Sequence, residues 1–185
     1  MKSSKEWKTI LGLDISTSIT GATVIQDGKI LKSEFWDTRN KKHFPTIYHK
    51  AQHIKNRLEE IRNEYKFTHV YIEQSLHSFR SGFSSAQTLS TLSRFNGIVS
   101  WMCWDLFDIQ PEMIAATSAR KQAGVGIKRG DNAKEKVLQF IIDKYPDIEI
   151  QYTKHGNPKP GTLDMCDSIV IALAGDKLVR EAQTT

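Results

Sequence analysis

Cysteine is scarce: Cys103 and Cys166 are the two in the chain, 63 positions apart, and neither has a C-x-x-C neighbour. That excludes a disulfide framework, a zinc ribbon and a thioredoxin-type redox motif, and it makes a reducing compartment the default. Long apolar runs are missing as well. The opening stretch MKSSKEWKTI is charged, and the first apolar run, Ile10 to Leu13, is broken by Gly12. It is far too short for a signal peptide or a membrane span, so the expectation is a soluble, cytoplasmic chain with no membrane partner. Internal repeats and low-complexity segments are absent too, which excludes solenoids and arrays.

The rest is ordinary globular material. Apolar residues make up 39% and charged residues 25% of the 185 positions, enough to bury a core without metal or disulfide staples and too apolar for wholesale disorder. The length predicts one domain, 1–185, with a core over about 9–180. Lys and Arg number 26 against 21 Asp and Glu, a net charge of +5 that suits an anionic partner without requiring one.

Strand signals open the chain. TILGLDIS is short and apolar, ITGATVIQ follows, and Asp27-Gly28 separates it from KILKSEFW. Asp-Gly between two such runs predicts a two-residue hairpin, because both turn positions want positive φ. From Pro45 to Tyr65 the period becomes helical, with Ile47, Ala51, Ile54, Leu58 and Ile61 spaced by four and three. HVYIEQ (69–74) reads as a buried strand, Ser84 to Phe107 as a long helix, and EMIAAT (112–117) as a fifth strand. Asn132 to Lys144 predicts a helix with Asn132 and Glu135 as its capping pair and Tyr145-Pro146 as its stop. Residues 151–161 read as a loop, and a last helix starts near Thr162. This is the element order of an α/β protein with the RNase H-like fold: a mixed five-stranded sheet, three antiparallel N-terminal strands and then parallel additions, flanked by helices.

Four carboxylates fall at special places in that order. Asp14 closes the first strand and Glu73 the fourth, while Asp164 and Asp167 stand on one face at the start of the last helix. If the first and fourth strands are parallel neighbours, Asp14 and Glu73 converge at one sheet edge with the helix pair above them. No Lys or Arg within these motifs neutralises them, and hard divalent cations would. The chemistry that needs such a site is two-metal phosphodiester hydrolysis with Mg²⁺, which Mn²⁺ can replace. Singly, each acid has a plainer explanation as a strand-end cap or a helix-dipole partner.

Residues 118–136 hold Arg120, Lys121, Lys128, Arg129, Lys134 and Lys136 against Asp131 and Glu135, with Gly124, Gly126 and Gly130 between them. The stretch suits phosphate contact, the alternative being a solvated charged turn. The loop after Glu73, SLHSFRSGF, interleaves Phe79 and Phe83 with Arg80; it reads either as a base-stacking element or as aromatics packed back on the domain. Trp101, Trp104 and Phe107 lie near the end of the long helix.

With these motifs in place the sequence resembles the RuvC-type Holliday-junction resolvases. LGLDISTSITGATVI is similar to the family's opening strand pair, with Asp14 at its first carboxylate; YIEQ places Glu73, and DMCDSIVIALA places Asp164 and Asp167. RKQAGVGIKRGDNAKEKV is similar to the basic segment, where Lys121 and Lys134 fall on lysines that contact junction phosphates near the cut. The resemblance implies a Mg²⁺-dependent endodeoxyribonuclease that resolves branched DNA by paired hydrolysis, leaving 5′-phosphate and 3′-hydroxyl ends. It implies two ions held by Asp14, Glu73, Asp164 and Asp167, with Lys121 stabilising the phosphate. It also implies phosphate contacts from Lys121 and Lys134 and a homodimer built on the long helix, while the DNA contacts expected of Phe79, Arg80, Arg120, Lys128, Arg129 and Lys136 come from the charge and aromatic pattern of the two loops themselves. Departures are Ile15-Ser16 where the family has Pro-Gly, Leu76 where it has an aromatic, and a longer 151–161 loop. Two other functions compete: an actin-like or sugar-kinase ATPase, for which 185 residues leave no second phosphate-loop domain, and a non-catalytic DNA-binding module on the same fold.

Overall fold

The computed structural model describes residues 7–74 and 86–183. Ten elements follow in order: β1 (Thr9–Asp14), β2 (Ile19–Gln26), β3 (Lys29–Asp37), α1 (Ile47–Glu64), β4 (His69–Glu73), α2 (Ala86–Phe107), β5 (Glu112–Ile114), α3 (Ala116–Ala123), α4 (Ala133–Lys144) and α5 (Thr162–Ala182). The strands form one five-stranded sheet in the order β3-β2-β1-β4-β5. β1–β2 and β2–β3 are antiparallel, while β1–β4 and β4–β5 are parallel. The β2–β3 turn has Asp27 at φ 47° and Gly28 at φ 82°, the paired positive values that the Asp-Gly signal demands.

β1 is buried on both faces, and its side chains alternate between two cores. Leu11 and Leu13 join Val24, Ile54, Leu58, Ile72, Phe95 and Val99 beneath α1 and α2. Ile10 joins Ile25, Tyr71, Ile141, Ile169 and Ala172 beneath α3, α4 and α5. α5 is therefore almost enclosed, with α3 and α4 covering the side that the sheet leaves free. Its approach to the sheet depends on missing side chains. A Cβ on Gly12 would lie 2.6 Å from the Ala172 nitrogen, and one on Gly21 would lie 2.0 Å from the Asp164 carbonyl oxygen. Thr23 and Ser168 enter this interface as a pair: Thr23 Oγ1 and Ser168 Oγ lie 2.8 Å apart, and Ser168 also donates to the Met165 carbonyl at 2.7 Å.

One element departs from the sequence expectation. The fifth strand ends at Ile114 rather than residue 117, and Ala116–Ala123 is a separate helix. The segment ATSARKQA is rich in strong helix formers, and Gly124 ends it in the left-handed region at φ 85°. Residues 151–161 stay a loop, tightened by a Tyr152–Pro158 bridge. Among the described residues, no helix is long and apolar enough to cross a membrane.

Candidate active site

Leu13 of β1 is level with Ile72 of β4, so the next residues, Asp14 and Glu73, end two parallel strands side by side. Neighbouring strands run about 4.8 Å apart, which brings the two carboxylates into one another's field. α5 begins just above them. Gly161, at φ 92°, turns the chain into the helix without a side-chain cap. Asp164 then sits in the first turn, where a carboxylate complements the helix dipole, and Asp167 follows one turn later on the same face.

These four carboxylates line one cleft of about 300 Å³, together with Ile15, Ser16, Leu92, Arg120, Ala133 and Lys134. Ser16 builds its floor: the hydroxyl donates to the Ile19 carbonyl at 2.7 Å and accepts from the amides of Ser18 and Ile19. The turn that follows Asp14 is thus fixed by Ser16, at one of the two positions where the resolvase pattern carries Pro-Gly.

Every acid of the cleft holds its proton more tightly than usual. Burial, then the charges of Glu73, Asp167 and Asp164, push Asp14 well above the ordinary carboxylate range. Burial and Asp167 raise Glu73 to about 7. Burial is also the main cause of the upward shifts of Asp164 and Asp167. Two cations that line the cleft oppose this. Lys134 pulls all four carboxylates down, and Arg120 pulls down Glu73 and Asp167. Lys134 is placed by the start of α4, where the Asn132 side chain accepts from the Lys134 and Glu135 amides as the sequence predicts.

Of the other expected site residues, Lys121, Lys128, Arg129 and Lys136 are exposed and do not line the cleft. Arg120 and Lys121 are consecutive on α3, so about 100° of helix rotation separates them, and Arg120 is the one turned to the acids. Phe79 and Arg80, with Phe83 and Leu76, lie outside the described residues. The sequence expectation did not single out Arg39. Its guanidinium grips Asp37 through a two-point contact (3.0 and 2.6 Å), and its charge lowers the pKa of Asp164. The available signal was the run RNKKH immediately after β3.

An oxygen-only donor set of this charge suits hard divalent cations in kind, Mg²⁺ or Mn²⁺. It is not a preassembled cage. Among the described residues, no group of three or more His, Cys, Asp or Glu is placed to hold an ion by itself. Closing a coordination shell here takes side-chain rotation or oxygens from a substrate.

The fold, a mixed five-stranded sheet flanked by helices, is the RNase H-like fold of RuvC-type structures. Among solved structures, the chain is similar to Thermus thermophilus RuvC in complex with a Holliday junction substrate. There the TM-score is 0.66 and the identity 14%, over 94% of this chain and 96% of that one. It is also similar to a T. thermophilus RuvC structure (TM-score 0.64, 15% identity, 94% and 96% covered) and to the yeast mitochondrial Holliday junction resolvase Ydc2 (0.61, 12%, 96% and 81%). At these identities the likeness is one of fold. No protein-family model and no curated protein sequence matches the chain.

Proposed function

We propose that this protein is a divalent-metal-dependent endodeoxyribonuclease that resolves Holliday junctions and related branched DNA, leaving 5′-phosphate and 3′-hydroxyl ends. The observation that carries the proposal is the convergence of Asp14, Glu73, Asp164 and Asp167, from three separate elements, on one cleft that also holds Arg120 and Lys134. A structural role alone would not gather four mutually repelling acids and raise the pKa of each. The fold shared with proteins described as Holliday junction resolvases directs the choice of substrate.

Asp14, Glu73, Asp164 and Asp167 would hold Mg²⁺, two ions being the expected number. Bound there, the metal supplies an activated water and charge stabilisation for the leaving 3′-oxygen. The chain's own groups do the rest. Arg120 and Lys134 neutralise phosphate charge at the cleft and favour the ionised acids. Ser16 holds the turn that orients Asp14. Lys121, Lys128, Arg129 and Lys136, all exposed, would position the backbone of the DNA further out without reading sequence, and Phe79 and Arg80 are assigned to the crossover. Cutting two opposed strands needs two clefts, and α2 offers a surface for a two-fold pair: Trp101 and Trp104 are 55% and 52% exposed. Phe107 instead turns inward onto Phe67, with ring centroids 5.1 Å apart.

A labelled four-way junction with Mg²⁺ tests the proposal. The protein should introduce paired nicks, and Asp14→Asn or Asp167→Asn should abolish cutting while junction binding stays measurable. Full-rate cutting by either variant would overturn the assignment.

A further inference from the structure

The acidic cleft has one known cationic side, that of α3 and α4. The opposite side, beyond β3, carries cations that the proposed mechanism does not use. β3 is antiparallel to β2, which is antiparallel to β1, so β3 ends at the same sheet edge as Asp14 and Glu73. The chain leaving it, residues 37–50, reads DTRNKKHFPTIYHK and holds Arg39, Lys41, Lys42 and Lys50 against the single carboxylate Asp37.

This strap is built onto the turn that follows Asp14. The Thr38 amide donates to the Ser18 carbonyl at 2.8 Å. The Thr38 hydroxyl lies 3.1 Å from that carbonyl and 3.3 Å from Thr17's. The Lys50 ammonium also donates to the Thr17 carbonyl. Asn40 then forms a tight turn, its carbonyl accepting from the His43 and Phe44 amides and its side chain from the Lys42 amide. Phe44 closes the loop onto α1 by packing on His53, centroids 5.0 Å apart. The result presents Lys41 and Lys42 to solvent beside a depression of about 450 Å³ at Asp37, Arg39 and Asn40. Among the described residues, neither lysine has an ion pair. Positive charge accumulates enough for Lys41 to help lower the pKa of Lys50, after desolvation. Exposed lysines without ion pairs, on a loop fixed by its backbone beside the acidic cleft, call for a polyanion that extends past the cleft.

We propose that residues Arg39–Lys50 form a second phosphate-binding bank, which holds the sugar-phosphate backbone of the DNA on the β3 side of the scissile phosphate. The scissile phosphate lies at the acids, and the backbone on either side of it falls on cations: Arg120 and Lys134 on one hand, Lys41 and Lys42 on the other. The inference rests on the nuclease assignment made above, and its test separates the two.

Binding of a four-way junction is measured with Ca²⁺ in place of Mg²⁺, from 50 to 200 mM salt, for the parent, for Lys41→Gln/Lys42→Gln, and for Lys66→Gln/Lys144→Gln as a charge-matched control away from this edge. Each lost phosphate contact reduces the slope of log affinity against log salt by about 0.9. The Lys41/Lys42 variant should therefore lose roughly tenfold less affinity across that range than the parent does. It should bind more weakly at low salt. The control should match the parent. An unchanged slope in the Lys41/Lys42 variant, or an equal loss in the control, overturns the second bank and leaves the nuclease assignment standing. A parent that neither binds nor cuts branched DNA overturns both.

Discussion

Replacing Glu73 by Gln should stabilise the metal-free protein, an unusual outcome for a substitution at a strand end in a core sheet. The Asn96 side chain donates to the Glu73 backbone carbonyl at 3.3 Å, a bond that Gln keeps, and among the described residues the Glu73 carboxylate has no ion pair. What it has is burial beside Asp167, which raises its pKa from 4.5 to about 7. A carboxyl group with a raised folded-state pKa favours folding while it is protonated. That contribution is complete below about pH 4.5, and it is lost as pH rises through about 7. At about 1.36 kcal/mol per pKa unit the ionised side chain costs the fold up to ~3 kcal/mol at pH 8, and about 1–2 once solvent at the cleft mouth screens it. For a domain of this size that is a rise in Tm of roughly 3–8 °C for Glu73→Gln at pH 8. At pH 5 the difference should fall to about a quarter of its pH 8 value. Thermal melts followed by circular dichroism in EDTA at the two pH values make the comparison. Adding Mg²⁺ at pH 8 should then stabilise the parent more than the variant, because binding to the folded state adds RT ln(1 + [L]/Kd). A Gln variant less stable than the parent at pH 8 in EDTA, or a difference independent of pH, would refute the electrostatic account of the cleft.

Lys134→Gln removes the cation that lowers the pKa of all four acids, so the acid limb of the pH–rate profile for junction cutting should move to higher pH; an unshifted limb would remove Lys134 from the site. Gly21→Ala drives a methyl group against the Asp164 backbone and should cost about 1–3 kcal/mol in urea melts. By displacing Asp164, it should also slow single-turnover cutting on the order of a hundredfold. Asn132→Ala uncaps α4 and should cost about 1 kcal/mol, recovered by Asn132→Asp.

Much of this architecture is written in local chemistry. TILGLD is apolar at consecutive positions because β1 faces two cores; Asp27-Gly28 and Asn132 act through their own backbone neighbourhood; Asp164 and Asp167 meet because a helix repeats near three and four. The parts that could not be read off depend on phase and topology. Ala115–Ala119 is a run of small residues, able to extend β5 or to begin a helix, and Gly124 settles the matter only through the conformation it adopts. Whether Arg120 or Lys121 faces the acids follows from the rotational setting of that helix, which has one buried residue, Ala119, to fix it. Arg39 matters because two antiparallel pairings return β3 to the edge where β1 ends, a relation between strands that no single segment carries. The neutralising role of Lys134 is of the same kind, since packing on α5 is what brings α4 to the cleft.

If carboxylates from β1, β4 and α5 meet to bind divalent cations, crystals soaked in Mn²⁺ and measured at the manganese absorption edge will show it. Anomalous density is expected among Asp14, Glu73, Asp164 and Asp167, lost in an Asp14→Asn crystal. Manganese bound only elsewhere, or a cleft that takes none at millimolar concentration with a four-way junction in place, would contradict it.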